Sequence, residues 1–332
     1  MGLGGLLTLF GLFLPAASAE LAMRATWPLL LMVPLLWVMA SWAGSRSGRI
    51  AGLFAIALGV TTLTGTVEYL PGRIDHHNAM VLAAVAGIAC LSRSFGDRRY
   101  GWAAGICLGL GTAVGYESIV LTMLALATAG VIALLADRGA DGVLAAARGY
   151  AQTLLAAWLV TTAPSSWTAI GCDALSANLV VLAVWAAVAV WLALVRGRTW
   201  SMATRLGAGA GAAAIGLALY GVMEPACLKG PFGQLDPAIG PLWMVNVTET
   251  QSVVWLLATA PVVGFVFLAF SLLGLAAAWR LARLDRDCGA ALVLAALIVA
   301  VALACWQIKL VPYASLLAVL PLAAVLARLQ GT

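Results

Sequence analysis

Long apolar runs separated by short polar turns occupy almost the whole chain. The runs are about 16 to 27 residues long, and a helix needs about 20 apolar residues to cross the hydrocarbon core of a bilayer. The pattern therefore predicts about eleven membrane-spanning helices. The predicted spans are 24–43, 50–70, 77–92, 100–115, 118–136, 143–163, 177–195, 203–222, 253–279, 288–306 and 310–328.

Residues 1–19 form a further apolar segment whose role stays open. The run ends in Ala16-Ala17-Ser18-Ala19, which resembles a signal-peptide cleavage site, but no basic residues precede it. A cleaved signal peptide, a short spanning helix and a helix lying on the outer membrane surface all fit this segment.

Composition narrows the class of protein. Hydrophobic residues make up 64% of the 332 residues and charged residues 9%, and the mean hydropathy is +1.04. These values predict an all-α, polytopic transmembrane bundle that forms a single domain over 1–332. The longest polar stretch, 223–252, is expected to be an external loop within that domain. No soluble C-terminal domain is predicted.

The basic residues indicate how the chain is oriented. If successive helices alternate in direction, fourteen arginines share one face: Arg46, Arg49, Arg93, Arg98, Arg99, Arg138, Arg148, Arg196, Arg198, Arg205, Arg280, Arg283, Arg286 and Arg328. The other face has four basic residues: Arg24, Arg73, Lys229 and Lys309. Cytoplasmic loops are rich in Arg and Lys, so the first face is predicted to be cytoplasmic. The net charge of +5 is thus explained by orientation, and no nucleic-acid partner is expected.

This orientation requires a break between the fourth and fifth predicted spans, at Gly115-Tyr116-Glu117. The reactive groups are accordingly predicted to face the outside of the cell.

The only two histidines, His76 and His77, are neighbours on this outer face and follow Asp75. Ionisable groups at a membrane boundary are costly, which favours a functional role. Asp75 and His77 lie two residues apart, so they share a ligand only if Asp75 sits in the turn before the next helix. A carboxylate with an imidazole suits Mn²⁺, Mg²⁺ or Zn²⁺. The alternative is a helix cap with interfacial histidines.

Other outer residues complete the candidate site. Glu249 precedes a long apolar helix, where its carboxylate would reach a metal or a substrate, or would simply interact with the helix dipole. Arg73, Lys229 and Lys309 would hold a phosphate or pyrophosphate at the lipid headgroup level, or anchor the helices at the interface. Glu68 and Glu117 are candidates for hydrogen bonds to the metal ligands, or simply end their helices.

Two of the six cysteines, Cys172 and Cys227, fall in outer loops. A disulfide between them fits an exported location, and two free thiols are the alternative. The other four, Cys90, Cys107, Cys288 and Cys305, lie within or at the ends of apolar spans.

These motifs resemble the catalytic membrane subunit of oligosaccharyltransferases and bacterial relatives in the GT-C glycosyltransferase superfamily. The similarity covers roughly 20–328 and is most specific in Ser47-Gly48-Arg49-Ile50-Ala51-Gly52-Leu53 and in Gly72-Arg73-Ile74-Asp75-His76-His77-Asn78. The second motif resembles the Asp-x-His metal-binding motif of archaeal members, which implies Asp75 and His77 as ligands.

The resemblance implies further roles. A long outer loop of the family supplies a catalytic-site Glu, here Glu249, and an Arg near the donor phosphate corresponds to Lys309. The segments around Cys172 and Cys227 resemble paired segments of bacterial relatives. The first helix and first acidic loop of the family have no match in 1–23, so the chain is expected to be N-terminally incomplete. A thirteenth helix and the C-terminal sequon-reading segment have no match either.

Together these features and the resemblance predict a glycosyltransferase of a bacterial inner membrane. It would move a sugar or oligosaccharide from a polyprenyl-(pyro)phosphate donor to an acceptor at the outer, periplasmic face of that membrane. Asp75, His77 and Glu249 are the predicted catalytic residues and ligands of Mn²⁺ or Mg²⁺. Arg73, His76, Lys229 and Lys309 are assigned to substrate binding, with the lipid-linked sugar donor and membrane lipid as partners. The rival hypotheses are a transporter or flippase and a catalytically inactive GT-C paralogue.

Overall fold

The computed structural model describes residues 2–243 and 246–330, and within them the regular structure is helical. The helices are α1 (Gly2–Gly11), α2 (Ala16–Ser47), α3 (Arg49–Thr61), α4 (Leu63–Thr66), α5 (His77–Arg93), α6 (Arg98–Val114), α7 (Ile119–Ala136), α8 (Ala140–Thr161), α9 (Ala177–Trp191), α10 (Met202–Met223), α11 (Ile239–Leu242), α12 (Val253–Thr259), α13 (Pro261–Asp285), α14 (Cys288–Trp306) and α15 (Val311–Gln330). The predicted all-α, polytopic fold class is confirmed.

Eight of the described helices are long and apolar enough to cross a membrane, and a bent pair, Arg49–Thr61 with Leu63–Tyr69, makes a ninth. The remaining two predicted spans correspond to α5 and α6, which have 17 residues each. Both are shorter than an ordinary span, and they pack closely against each other within the bundle. The helix α1 has ten residues, too few to cross the hydrocarbon core.

Two predicted spans are not continuous helices, and those boundaries were wrong. The span 253–279 is divided at Ala260, whose φ of −139° and ψ of 66° are not helical. Pro261 accounts for this break, because proline disfavours the helical conformation in the residue before it. The span 50–70 bends by 68° after Thr61. No proline near this position indicates a break in the sequence.

The predicted break between α6 and α7 is confirmed. The helix α6 ends at Val114, and a short 3₁₀ turn, Tyr116–Ser118, separates it from α7. The predicted loop 223–252 is also present between α10 and α12. It contains the 3₁₀ turns Pro225–Lys229 and Thr248–Thr250 and the short helix α11, while residues 244 and 245 lie outside the described part.

The helix α15 lies at the centre of the bundle and contacts α2, α3, α13 and α14. Almost all of its side chains from Val311 to Ala324 are buried. Small residues allow other helices to approach closely: a Cβ atom at Gly105 of α6 would lie 2.3 Å from the Ala146 carbonyl oxygen of α8. Such close backbone contact is typical of membrane helices. The central position of α15 fixes the turn at its N-terminal end, Ile308–Leu310, beside the ends of several other helices.

Candidate active site

The turn before α5 has a conformation that its glycine makes accessible. Gly72 has a φ of +98°, which glycine adopts without the steric cost of a Cβ atom. Its N–H donates to the Arg24 carbonyl oxygen of α2 at 2.9 Å. Asp75 then accepts a hydrogen bond from the His77 backbone N–H through Oδ1 at 3.1 Å. The carboxylate of Asp75 thus caps α5, and His77 is the first residue of that helix.

His77 lies between two carboxylates that are distant in sequence. Its Nδ1 is 3.0 Å from Glu117 Oε2, and its Nε2 is 3.8 Å from Glu249 Oε2. The side chains of His77 and Glu117 are mostly buried, whereas that of Glu249 is half exposed. Both nitrogens of the imidazole are therefore directed towards acidic groups.

Glu117 reaches His77 because the turn between α6 and α7 approaches the first turn of α5. A Cβ atom at Gly115 would lie 3.1 Å from the His76 ring and 2.4 Å from Met80 Sδ. The absence of a side chain at Gly115 makes room for α5. His76 stacks on His77 with ring centroids 4.4 Å apart.

Lys309 makes the second contact of Glu117. The ammonium Nζ donates to Glu117 Oε1 at 2.9 Å, and the lysine side chain is only 9% exposed. The turn that carries Lys309 is tied to the loop that carries Glu249, because the Ile308 N–H donates to the Gln251 carbonyl oxygen at 2.8 Å. One backbone hydrogen bond thus holds the Glu249 loop against the N-terminal end of α15.

Arg73 belongs to a neighbouring pair of ion contacts. Its guanidinium lies 2.5 Å from Glu68 Oε2 and 3.2 Å from Asp75 Oδ2. Burial opposes the charge on Arg73, but the hydrogen bond and charge of Glu68, with the charges of Asp75 and Glu249, raise its pKa. The guanidinium therefore stays positive, and it holds Asp75 against the turn.

A cavity of about 420 Å³ opens beside these groups. Its polar lining includes Glu68, Arg73, His77, Glu249 and Lys309. Its apolar lining includes Leu63, Val67, Leu256, Val263, Val311 and Pro312. Leu63 is 78% exposed, so this apolar wall continues onto the lipid-facing surface of the bundle. We call this space the amphiphilic cavity.

A second cavity of about 430 Å³ lies on the other side of the Lys309–Glu117 pair. Lys229 and Phe232 line it together with that pair, and the Lys309 ammonium lies 5.6 Å from the Phe232 ring centroid. Lys309 thus separates two cavities and is accessible from both. Lys229, in contrast, is exposed and lines only the second cavity.

A disulfide holds the loop that forms this second cavity. Cys172 and Cys227 are bonded, with their Cα atoms 4.9 Å apart. The Gln234 side chain adds two hydrogen bonds across the same junction, accepting from the Cys172 N–H and donating to the Ile170 carbonyl oxygen. The loop between α10 and α12 is therefore fixed to the loop between α8 and α9.

The chemistry of the cluster fits a divalent cation. Among the described residues, His76, His77 and Glu117 place ligand atoms within 4.8 Å of one another. Glu117 Oε2 is buried and accepts no well-aligned hydrogen bond within the described part of the chain, despite its 3.0 Å contact with His77. Imidazole nitrogens with a carboxylate are ordinary ligands of Zn²⁺ and Mn²⁺.

The predicted ligands are only partly brought together. His77 Nε2 and Glu249 face each other, at a separation that one ion would bridge after a small movement. Asp75 lies outside the group of His76, His77 and Glu117, and its two oxygens contact the His77 backbone and Arg73.

Sequence reasoning gave Glu117 only an optional supporting role, yet it is the residue that joins His77 to Lys309. The one available signal was its position as the sole acid in the turn between α6 and α7.

No protein-family model matches this sequence, and no curated protein matches it either. Solved structures do match. An oligosaccharyltransferase AglB from Archaeoglobus fulgidus, in complex with an inhibitory peptide and a dolichol-phosphate, aligns with a TM-score of 0.71 and 14% identity. The apo oligosaccharyltransferase of the same organism aligns with a TM-score of 0.65 and 14% identity. Each alignment covers 99% of this chain and 42% of the archaeal one.

A third archaeal structure, a complex with Zn and sulfate, aligns with a TM-score of 0.52 and 16% identity, and covers 99% of this chain and 40% of the other. This chain therefore spans about two fifths of the length of the proteins that it matches. TM-scores of 0.71 and 0.52 with 99% coverage of this chain show a shared arrangement of helices. The chain thus has the helical membrane fold of oligosaccharyltransferases, the GT-C fold that its motifs led us to expect.

Proposed function

We propose that the chain is a GT-C-type glycosyltransferase that takes a sugar or oligosaccharide from a polyprenyl-(pyro)phosphate donor. The observation that carries the proposal is the amphiphilic cavity, in which charged residues line one part and a lipid-exposed apolar wall forms the rest. A lipid-linked sugar phosphate has the same division, with a charged phosphate between a sugar and a long apolar chain. The archaeal protein of the same fold has been solved in complex with a dolichol-phosphate, a ligand of this class.

The cationic residues of the cavity would hold the donor phosphate. Lys309 is mostly buried and lies at the boundary of both cavities, so its charge is screened less by water than that of a surface lysine. Arg73 would approach the phosphate from the opposite wall, although Glu68 and Asp75 already occupy part of its guanidinium. Lys229 would act only on a group that enters the second cavity.

Transfer breaks the bond between the anomeric carbon of the sugar and the phosphate oxygen. The phosphate leaves with the electron pair, an oxygen or nitrogen of the acceptor forms the new bond to the anomeric carbon, and the acceptor proton passes to a base. Negative charge therefore develops on the leaving phosphate. A fixed ammonium such as that of Lys309 stabilises this charge at little reorganisation cost.

His77 and Glu249 would hold a divalent cation, with Asp75 as the third predicted ligand. When bound, such an ion supplies positive charge to the leaving phosphate. Glu117 is well placed to orient His77 from the other ring nitrogen, at 3.0 Å, as carboxylates commonly do for metal-binding histidines. We propose Mn²⁺ or Mg²⁺, and the structure of an archaeal protein of the same fold in complex with Zn and sulfate supports a divalent metal here.

We place the reaction on the outer face of a bacterial inner membrane. The residues of the site lie at the end of the bundle opposite the arginine-rich helix ends, and arginines favour the cytoplasmic side. A transporter would need charged groups along a path through the bundle. The acids and bases of this site instead gather at helix ends and in the connecting turns.

The test uses the purified full chain in nanodiscs with Mn²⁺ and a polyprenyl-pyrophosphate donor that carries a radiolabelled sugar. Donor binding and release of the labelled sugar to water or to added acceptors are both measured. We expect Glu249→Gln to bind the donor but to lose turnover, and Lys309→Gln to lose both. Glu20→Gln is the matched control, because Glu20 is exposed and its ion pair among the described residues is with Arg24, one turn away.

Two results would contradict the proposal. One is binding of the lipid-linked sugar no tighter than binding of the same polyprenol without phosphate. The other is donor binding without any turnover under every metal and acceptor tried, which would favour an inactive paralogue.

A further inference from the structure

A large cavity lies at the other end of the bundle, away from the candidate active site. It has a volume of about 800 Å³. Its walls are the turn between α5 and α6, the turn between α7 and α8, a π-helical turn at Leu192–Arg196, and the first residues of α10. We call it the basal cavity. Its position separates it from every residue assigned to glycosyl transfer.

Three arginines line the basal cavity: Arg98, Arg198 and Arg205. Arg198 lies 3.6 Å from Asp141, and both side chains are largely exposed. Arg205 donates from Nε to the Ala193 carbonyl oxygen at 2.7 Å, which leaves its two terminal nitrogens available. None of the ion pairs formed by the described residues includes Arg98 or Arg205.

The acids of the cavity do not balance this charge. Asp141 pairs with Arg198, and Asp137 is the other acid that lines the cavity. Three arginines against two aspartates leave one positive charge in excess, and the ion pairs of the described residues leave Arg98 and Arg205 without a carboxylate partner. Guanidinium groups with free donors bind the oxygens of phosphates well, because their planar geometry allows paired hydrogen bonds.

A neighbouring cavity of about 640 Å³ provides an internal comparison. It shares Phe95 and Gly96 with the basal cavity. Two of its four arginines have partners, since Arg46 lies 3.1 Å from Asp287 and Arg93 donates to the hydroxyl and carbonyl oxygens of Ser41. Arg138 and Arg286 also line this space, so the basal cavity is distinguished by the exposed, non-aromatic apolar side chains of its lining, Leu135 and Met202.

The walls of the basal cavity are closely packed. Gly139 has a φ of +76°, and a Cβ atom there would lie 2.6 Å from Phe95 Cα. A Cβ atom at Gly142 would lie 1.9 Å from the Ser94 carbonyl oxygen. The two turns are therefore held against each other at distances that only glycine permits, so the cavity is preformed.

The mouth of the cavity reaches the surface that faces lipid. Leu135 and Met202 line the cavity and are 66% and 43% exposed. A ligand whose phosphate enters between the arginines would have its apolar part beside these side chains. That arrangement suits a phospholipid better than a free phosphate, which has no apolar part to place there.

From this combination we infer that the basal cavity binds the phosphate of an anionic phospholipid from the adjoining leaflet. Arg98 and Arg205 contact the phosphate oxygens, and the acyl chains lie along Leu135 and Met202. Basic pockets between membrane helices on the cytoplasmic side commonly bind anionic lipid headgroups. The site is independent of the proposed glycosyl transfer and of the metal.

The test measures binding of dioctanoyl phosphatidylglycerol to the purified full chain in detergent by native mass spectrometry. We expect the double variant Arg98→Gln/Arg205→Gln to bind this lipid at least about tenfold more weakly, because hydrogen bonds to charged groups are lost. The control is Arg49→Gln/Arg280→Gln, which removes the same charge from exposed arginines outside the cavity. We expect less than about a twofold change in the control.

The source of the phosphate is decided by competition. A second phosphatidylglycerol should displace the bound dioctanoyl phosphatidylglycerol. Inorganic phosphate at the same concentration should not. Displacement by inorganic phosphate, or equal losses in the two double variants, would overturn the inference.

Met202→Glu provides a second variant that keeps both arginines. It should also weaken lipid binding, since it places a negative charge at an exposed position in the mouth, and unaltered binding would overturn the inference as well.

Discussion

The two ends of the helix bundle both carry ion pairs, but they use them differently. At the candidate active site, Lys309, Glu117 and His77 form a largely buried chain of contacts beside two cavities. At the opposite end, Arg328 and Asp285 pair at 2.7 Å with about a third of each side chain exposed. Burial in apolar surroundings makes an unpaired charge costly, whereas exposed pairs contribute little. Under the proposed function, charged side chains therefore serve chemistry at one end and orientation in the membrane at the other.

The largest effect should come from His77, the centre of the buried network. We expect His77→Ala to lower sugar transfer roughly 10³-fold, because it removes the residue between Glu117 and Glu249 and with it the proposed metal site. The measurement is the rate of labelled sugar release with saturating Mn²⁺.

His76→Ala is the matched control for this prediction. If the ion is held by His77 Nε2 and Glu249, the loss of the neighbouring ring should cost far less activity. An equal loss in both variants would instead favour the group of His76, His77 and Glu117 as the ligands.

The second prediction concerns the disulfide that holds the loop between α10 and α12. Cys172→Ala/Cys227→Ala removes the disulfide between loops 55 residues apart in sequence and should lower the free energy of unfolding by about 2–4 kcal/mol. Thermal unfolding monitored by tryptophan fluorescence measures the change. Cys90→Ala/Cys107→Ala, which removes two free thiols, should have a smaller effect, and equal shifts would show that the disulfide adds nothing.

The sequence predicts the fold and the active site to different degrees. Apolar runs and the uneven distribution of arginines are local signals, and they located the helices and the break at Gly115-Tyr116-Glu117. Pro261 was a signal for the break between α12 and α13, but the uninterrupted hydropathy of 253–279 concealed it. The bend after Thr61 has no such signal, since it depends on how α3 and α4 pack against α15.

The active site, too, was predictable only where its contacts are between residues close in sequence. Asp75 and His77 lie two residues apart, so one turn explains their proximity, and the hydrogen bond of Asp75 to the first N–H of α5 was among the predicted alternatives. The Lys309–Glu117 contact joins residues 192 positions apart. Nothing local specifies that pair, because it depends on α15 passing through the centre of the bundle.

Glu117 offers the third prediction. Glu117→Gln keeps the shape of the side chain but removes the charge between His77 and Lys309, so we expect a loss of about 10- to 100-fold in Mn²⁺ affinity and in transfer rate. Measuring the transfer rate as a function of Mn²⁺ concentration separates the loss of Mn²⁺ affinity from the loss of transfer rate. Restoration of full activity by excess metal would show that Glu117 acts only through the affinity for the ion, and an unchanged Mn²⁺ titration would contradict its orienting role.

The smallest effect belongs to the other end of the bundle. Asp285→Asn removes the charge that pairs with Arg328, but Arg328 keeps its hydrogen bonds to the Ser47 hydroxyl and the Arg46 carbonyl oxygen. Because the pair is about one third exposed, we expect the free energy of unfolding to fall by about 1 kcal/mol or less, with donor binding and transfer unchanged. Thermal unfolding and the transfer assay measure both quantities on one preparation. A loss of activity as large as that of Glu117→Gln would mean that the two ends are coupled through α15. Ion pairs at the arginine-rich end would then affect transfer as well as orientation in the membrane, against the proposed division between the two ends.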